Sequence, residues 1–134
     1  IETRFLRFGM VVQAYSDAHQ QATSASLLTA RDVVIAVSHT GATLELLDTV
    51  RTAREAGVSV IVITSHVNSP LAKLGDVVLH GMGREVHYSS EAVSSRLIHM
   101  AITDALYTVI AMRAPQDYRR NLQKMREVIA KKRT

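Results

Sequence analysis

Short hydroxyl side chains and a glycine are concentrated in residues 38–43, whose sequence is Ser-His-Thr-Gly-Ala-Thr. The apolar run Val33–Val37 precedes this segment, and a helical pattern of apolar residues begins at Leu44. An unbroken β-branched run is typical of a strand covered on both faces, so the segment is predicted to connect a buried strand to a helix. Free N–H groups and the helix dipole favour an anion at such a turn, and glycine lets the backbone approach it closely. The pattern therefore predicts a phosphate cradle of neutral donors, formed by Ser38, Thr40, Gly41 and Thr43.

The same segment can also be interpreted as an ordinary strand-to-helix connection, in which Thr40 or Thr43 caps the helix. Spacing alone does not separate the two interpretations. Three other motifs are absent from the sequence, namely G-x-G-x-x-G, G-x-x-x-x-G-K-[ST] and G-x-S-x-G. Their absence argues against dinucleotide binding, P-loop chemistry and a nucleophilic serine elbow.

Two of the six histidines, His39 and His66, are predicted to lie in loops at the carboxyl ends of strands. Ligands bind at that edge of doubly wound folds, so either imidazole is a candidate for ligand contact or for acid–base chemistry near neutral pH. The alternative is that both are exposed loop residues. The histidine spacing contains neither H-E-x-x-H nor a paired ligand pattern, so no metal and no other cofactor is expected.

Ser90 and Glu91 are predicted to begin the long helix that ends near Met112. A serine N-cap followed by a carboxylate in the first turn is ordinary helix chemistry, and this interpretation is preferred. The other interpretation makes Glu91 a general base that removes a proton alpha to a sugar carbonyl.

Strand and helix patterns alternate along the chain, which predicts an α/β fold with a doubly wound parallel sheet and right-handed crossovers. The predicted strands are Met10–Tyr15, Val33–Val37, Val58–Thr64 and Asp76–His80. The predicted helices are residues 1–8 (final turns, ended by Gly9), 17–28, 44–56, 69–74 with Ser69 as N-cap, 91–112 and 116–131.

Composition places the chain among globular proteins of one domain: it has 134 residues, 47% hydrophobic and 21% charged, and no cysteine. No apolar run approaches the roughly 20 residues that cross a bilayer, and a cytoplasmic location without membrane association is expected. Residues 113–134 carry eight Lys/Arg against two acidic residues, a net charge of +6. This segment is predicted to be a basic amphipathic helix that follows a main domain of residues 1–112. A solvated helix face explains the charge more simply than nucleic-acid binding does.

Several segments together resemble the sugar isomerase (SIS) domain, in the branch of RpiR-family bacterial transcriptional regulators. Residues 38–45 are similar to the S-x-[ST]-G-x-T-x-E loop of that family, and residues 16–22 resemble the stretch before this loop in the regulators. Further segments fit in the same order: Ile63–Ser65, Asn68–Ala72, Asp76–Leu79 and the Ser90…Ser95-Arg96 helix entry.

The resemblance implies a three-layer α-β-α sandwich (flavodoxin-like) that binds a phosphosugar, with the 38–43 loop on the phosphate. Ser38, Thr40 and Thr43 carry over directly from the family's loop. The full set of candidate ligand residues is Ser38, His39, Thr40, Gly41, Thr43, Ser90 and Glu91, although Glu91 stands where many of the regulators have glycine. The resemblance also implies a homodimer or higher homo-oligomer, and DNA binding only through an N-terminal helix-turn-helix domain absent from this chain. The chain is expected to begin after the family's first strand and G-x-G-x-S loop, so that strand is expected to be missing.

Two function classes follow from these patterns. The preferred one is a non-catalytic, phosphosugar-sensing domain of a regulator of carbohydrate metabolism. The alternative is an aldose–ketose sugar-phosphate isomerase, with Glu91 or His39 as the base. A third and weaker hypothesis gives the basic helix itself a nucleic-acid partner, whose affinity would fall steeply with salt.

Overall fold

A computed structural model describes residues 2–84, 92–113 and 115–131. Its helices and strands are, in chain order, α1 Glu2–Phe5, α2 Ala18–Ala25, β1 Val33–Ser38, α3 Leu44–Glu55, β2 Ser59–Thr64, β3 Val77–His80, α4 Val93–Arg113 and α5 Pro115–Ala130. The chain forms two compact units, one of residues 15–102 and one of residues 1–14 with 103–134. The predicted boundary between residues 112 and 113 stays a prediction.

The larger unit contains a parallel sheet in the order β1-β2-β3. The register pairs Ser38 with Thr64, and Thr64 with His80, so the last residues of all three strands lie side by side. Helix α3 connects β1 to β2 and packs on both. This arrangement confirms the predicted α/β class and its parallel sheet, and it brings the loops that follow the strands to one edge.

The core of this unit lies between β2 and α3. Val60, Val62 and Val50 are fully buried, and Leu47 of α3 packs in the same cluster. Gly57, in the left-handed conformation, follows the end of α3 as predicted. Asp17 caps α2 by accepting a hydrogen bond from the Gln20 amide (2.9 Å), although α2 ends at Ala25 rather than Leu28.

Strand β1 is less covered than predicted. Its residues Val33 and Val37 are 57% and 42% exposed, and only Ala36 is buried. The described residues place a neighbouring strand on one side of β1 only, so β1 is an edge strand there. The prediction of burial on both faces is therefore wrong for β1, whereas four of the six residues of β2 are buried.

The predicted strand Met10–Tyr15 is wrong, since these residues have no regular secondary structure. Val11 is 92% exposed and Met10 is 49% exposed. In the doubly wound order 2-1-3-4-5, a second strand pairs with a first strand. The described residues contain no such strand, so this apolar segment has no partner with which to form a ladder.

The apolar face of helix α4 is wide enough for either a core or a subunit contact, and the structure leaves much of it exposed. Ala101, Ala105, Val109 and Met112 are exposed, whereas Ile98 and Ile102 of the same face are partly buried. The buried positions repeat every four residues and are polar or aromatic: Ser95, His99, Thr103 and Tyr107. Ile98 and Ile102 pack on Gly81, where an added Cβ would lie 2.5 Å from each side chain, and at Gly83 it would lie 2.5 Å from Ser94. The close approach of α4 therefore leaves no room for a side chain at either glycine.

The smaller unit is organised by aromatic side chains. Phe8 lies 5.2 Å from Tyr107 and 5.6 Å from Tyr118 between ring centroids. The Tyr107 hydroxyl donates to the Tyr118 hydroxyl (2.9 Å) and accepts from the Arg7 guanidinium (3.2 Å). Gly9, at φ 77°, ends the first helical turns as predicted. Pro115 begins α5, which confirms a break after α4.

Asp76 should stabilise the larger unit at neutral pH and lose this effect in acid as its carboxyl becomes protonated. Its carboxylate accepts from the Val60 amide (2.7 Å) and pairs with Arg54 (3.0 Å). The Val60 N–H first, and Arg54 second, hold the pKa of Asp76 below its ordinary value. A carboxyl whose pKa is lower in the folded state stabilises above its unfolded pKa and loses that effect as pH falls through the folded pKa. Asp76→Asn should therefore lower the urea midpoint at pH 7, and the difference should shrink as the pH falls below the unfolded pKa of about 3.9.

The matched control for this prediction is Asp48→Asn. Asp48 forms an exposed pair with Arg51 within α3 (2.7 Å), and such pairs contribute little. Equal losses for the two variants, or a loss at Asp76 that does not change with pH, would contradict the prediction.

Candidate functional site

The 38–43 loop is held on the carboxyl end of β2. The carbonyl of His39 accepts from the Ser65 amide (3.1 Å) and from the Thr64 hydroxyl (3.2 Å). The carbonyl of Gly41 accepts from the Leu71 amide (3.0 Å). Three hydrogen bonds from separate residues thus fix the backbone that precedes α3.

Gly41 is required by both its conformation and its surroundings. Its φ is 62°, in the region that glycine adopts readily and other residues adopt at a cost. An added Cβ would lie 2.6 Å from the Cβ of Ser69 and 3.1 Å from the hydroxyl of Thr64. No larger residue fits without moving the loop.

The three hydroxyls of the loop differ in what they already bind. Ser38 Oγ accepts from the Gly41 amide (3.0 Å), and Thr40 Oγ1 accepts weakly from the Ala42 amide (3.4 Å). Thr43 occupies the N-cap position of α3, but its side chain makes no cap hydrogen bond. The first intrahelical bond runs from the Leu47 amide to the Thr43 carbonyl. The amides of the first turn therefore have no side-chain acceptor in the described part of the chain, and the Thr43 hydroxyl is free to donate.

The position and hydrogen bonds of Thr43 bear on whether the 38–43 loop is a phosphate cradle or an ordinary strand-to-helix connection. Thr43 is the N-cap residue by position, as the simpler interpretation expected, but it does not cap with its side chain. Exposed hydroxyls and open amides at the positive end of a helix dipole are suited to an anion with several acceptor oxygens. Binding by Ser38, Thr40, Gly41 and Thr43 stays a prediction.

His39 and His66 lie together at this edge, with ring centroids 5.4 Å apart. Nδ1 of His39 lies 2.9 Å from the Ser65 hydroxyl. The predicted placement of both histidines beside the strand ends is thus confirmed. Any contact with a ligand stays a prediction.

The sequence interpretation missed three residues of the hydrogen-bond network that includes His39: Ser65, His80 and His99. Nε2 of His80 donates to the Ser65 carbonyl (3.1 Å), and Nε2 of His99 lies 3.1 Å from the Ser65 hydroxyl. His80 ends β3 and Ser65 directly follows β2, so the strand-end argument applied to His39 would have found both. Nothing local in the sequence indicates His99.

Burial lowers the pKa of the His99 imidazole. A hydrogen bond to the Gly81 carbonyl opposes this effect, and the nearby imidazoles of His39 and His80 add to it. His99 is 6% exposed. Its neutral form is consequently favoured at neutral pH, where an unperturbed histidine is already mostly uncharged.

An open cleft of about 360 Å³ lies between α2 and α3 and is bordered by His19, Glu45 and Asp48. Glu45 belongs to the first turn of α3, so one side of the cleft reaches the start of that helix. Among the residues that the structure describes, no three His, Asp or Glu side chains are arranged to hold a metal ion. Ser90 and Glu91 lie outside the described residues.

Within the described ranges, no single helix is long and apolar enough to cross a membrane; α4 and α5 meet that test only when joined as one broken span.

Comparison with known proteins identifies a domain family and similar transcriptional regulators. The profile of the SIS domain family matches residues 1–109. An HTH-type transcriptional regulator of unknown role from Caldanaerobacter subterraneus subsp. tengcongensis is 35% identical over 127 residues, which are 95% of this chain and 45% of that protein. The HTH-type transcriptional regulator RpiR of Escherichia coli K12 is 33% identical over 129 residues, with coverages of 96% and 44%.

Among solved structures, the Vibrio vulnificus NanR protein complexed with ManNAc-6P superposes with a TM-score of 0.85 at 26% sequence identity. The match covers 96% of this chain and 48% of that one. The chain belongs to the SIS domain family. It spans less than half the length of the regulators it matches.

Proposed function

We propose that this chain is the phosphosugar-sensing effector domain of a DNA-binding transcriptional regulator of carbohydrate metabolism. The observation that carries the proposal is the 38–43 loop, whose Thr43 hydroxyl and first-turn amides are donors at the start of α3 with no side-chain partner among the described residues. Support comes from relatives named as HTH-type regulators and from a structural neighbour that holds ManNAc-6P.

The phosphate would be held by neutral donors rather than by a lysine or arginine. Ser38 and Thr43 would donate through their hydroxyls, and the amides of Leu44 and Glu45 would donate along the helix dipole. The sugar ring would extend into the cleft between α2 and α3, where His19, Glu45 and Asp48 offer partners for hydroxyl groups. An anionic anchor beside a polar cleft selects a phosphorylated sugar over the free sugar.

Regulation requires that ligand binding changes how the DNA-binding domains of the regulator are positioned relative to one another. DNA would be bound by a separate helix-turn-helix domain, and the cytoplasm would be the site of action. A homodimer would use the exposed apolar side of α4, where Leu97, Met100 and Met112 are 64%, 66% and 76% exposed. A sugar phosphate that prefers one arrangement of the dimer would then shift its population.

The alternative function is sugar-phosphate isomerisation. The observation in its favour is the imidazole of His39, which lies beside the proposed cradle and is oriented by Ser65. Glu91, the other candidate base, lies outside the described residues.

One experiment separates the sensor from the enzyme. The chain is incubated with aldose 6-phosphates, binding is measured by calorimetry, and conversion to the ketose is followed by NMR. We expect saturable binding without conversion beyond the rate in buffer. Conversion that is lost in His39→Ala would contradict the sensor proposal and favour the isomerase.

A further inference from the structure

A buried serine hydroxyl connects two imidazoles at the edge of the cradle. Ser65 Oγ lies 2.9 Å from His39 Nδ1 and 3.1 Å from His99 Nε2. Ser65 is 2% exposed and His99 is 6% exposed, whereas His39 lies in the loop and is only partly buried. Ser65 therefore links the buried imidazole of His99 to the imidazole of His39, beside the proposed ligand site, through hydrogen bonds.

His99 acts as a hydrogen-bond donor through its Nε2 atom. The Gly81 carbonyl can only accept, and it lies 3.0 Å from His99 Nε2, so that nitrogen carries a proton. The same argument gives His80 Nε2 a proton, because it faces the Ser65 carbonyl (3.1 Å). His99 thus supplies the Gly81 carbonyl with a hydrogen bond that does not depend on Ser65.

The single hydroxyl proton of Ser65 then has two destinations. It donates either to the Gly81 carbonyl (2.9 Å) or to Nδ1 of His39 (2.9 Å). In the first state, neutral His39 carries its proton on Nδ1 and presents a lone pair at Nε2. In the second state, Nδ1 accepts from Ser65 and Nε2 carries the proton. Nε2 of His39 has no hydrogen-bond partner among the described residues, so an outside group is free to bind there.

We propose that Ser65, supported by His99, is a positioning residue that lets neutral His39 donate its Nε2 proton to the phosphate of the bound sugar. An anion repels a lone pair and attracts an N–H, so it selects the second state. The inference rests on the proposed function, because it needs a phosphate in the cradle. It adds a proton switch to a cradle that otherwise uses hydroxyls and amides.

The surroundings of His39 suit this role. Three imidazoles of the described residues lie near His39: His66, 5.4 Å away between ring centroids, His99, which contacts the same Ser65 hydroxyl, and His80, which contacts the Ser65 carbonyl. In the described part of the chain no carboxylate forms an ion pair with His39, His66 or His80. A negative partner that would compete with phosphate for the His39 proton is thus missing from those ranges.

A double-mutant cycle tests the coupling. Affinities for glucose 6-phosphate and for inorganic phosphate are measured at pH 8 for the wild type, Ser65→Ala, His39→Ala and the double variant. We expect losses of about tenfold for Ser65→Ala and about thirtyfold for His39→Ala, as for one weakened and one removed hydrogen bond to a charged group. The double variant should match His39→Ala within about twofold, because Ser65 acts only through His39.

Ser65→Thr keeps the hydroxyl and should restore much of the affinity. Ser26→Ala serves as the control, since its hydroxyl donates to the Thr23 carbonyl on an exposed turn (2.7 Å) and should not affect binding. Losses that multiply in the double variant would mean that Ser65 supports the fold rather than His39, and would overturn the inference.

A second readout needs no variant that might unfold. Nitrogen-15 chemical shifts of His39 distinguish a protonated Nε2 from a protonated Nδ1. On adding inorganic phosphate at pH 8, the shifts should move to the form protonated on Nε2. A complex in which Nε2 stays unprotonated would overturn the proposed role of Ser65 and His39 while leaving phosphosugar sensing intact. If no phosphate or phosphosugar binds, the proposed function fails, and the proposed role of Ser65 and His39 fails with it.

Discussion

Gly41→Ala should reduce phosphosugar binding by more than tenfold and lower the Tm by several degrees, while the chain still folds. A residue with a Cβ at φ 62° costs roughly 1–2 kcal/mol. The new methyl group would also lie 2.6 Å from Ser69 Cβ. The loop must shift to relieve this contact, and the hydrogen bond from the Leu71 amide to the Gly41 carbonyl moves with it. The donors of the cradle then no longer converge.

Gly57→Ala is the matched control. Gly57 has a similar φ of 77°, but an added Cβ there meets only Ala30 at an ordinary distance of 3.5 Å. Both variants should lose thermal stability, and only Gly41→Ala should lose affinity, as measured by calorimetry. Wild-type affinity in Gly41→Ala would show that the ligand does not contact this loop.

Thr43→Ala should weaken phosphosugar binding by roughly 1–3 kcal/mol, the cost of one lost donor to a charged group, without lowering the Tm. The reason is that the Thr43 side chain makes no cap hydrogen bond to any residue that the structure describes. Ser38→Ala should lose a similar amount of affinity and also some stability. Its Oγ accepts from the Gly41 amide, which the variant leaves without that acceptor.

Calorimetric titration and thermal unfolding of the two variants check this difference. Thr23→Ala is a suitable control, because that hydroxyl donates to the His19 carbonyl within exposed helix α2 (2.9 Å). If Ser38→Ala and Thr43→Ala both bind as tightly as the wild type, the phosphate is held elsewhere.

The strand–loop–helix unit around Gly41 could be predicted from sequence because each of its signals is local. A β-branched run forms β1, Gly57 follows the end of α3, and Asp17 caps α2 where expected. Local signals predict elements well when short-range chemistry and tertiary packing agree. The parallel order then places the loops after β1 and β2 at one edge, which is why His39 and His66 were expected there.

The predictions from sequence fail where contacts between residues far apart in the chain determine the structure. Met10–Tyr15 has a strand pattern, yet a strand needs a neighbour, and the described residues supply none. Helix α4 has an apolar face by spacing, but contacts with residues far away in the chain also bury its polar residues Ser95 and His99.

The hydrogen bonds of Ser65 to His39 and His99 also depend on contacts between residues far apart in the chain. They join residues 26 and 34 positions apart in the chain, from Ser65 to His39 and to His99. Sheet register and the packing of α4 create these distances. No periodicity within either segment indicates them.

The most direct test of the central claim is thermal unfolding with a panel of sugar phosphates, each paired with its unphosphorylated sugar. A ligand at 100 times its Kd stabilises the folded state by about 2.7 kcal/mol, enough to raise the Tm by several degrees. The anion cradle predicts such a rise with at least one phosphosugar and none with its neutral partner. Equal shifts for both members of every pair, or no shift with any phosphosugar, would contradict it and leave the 38–43 loop as a connection between β1 and α3.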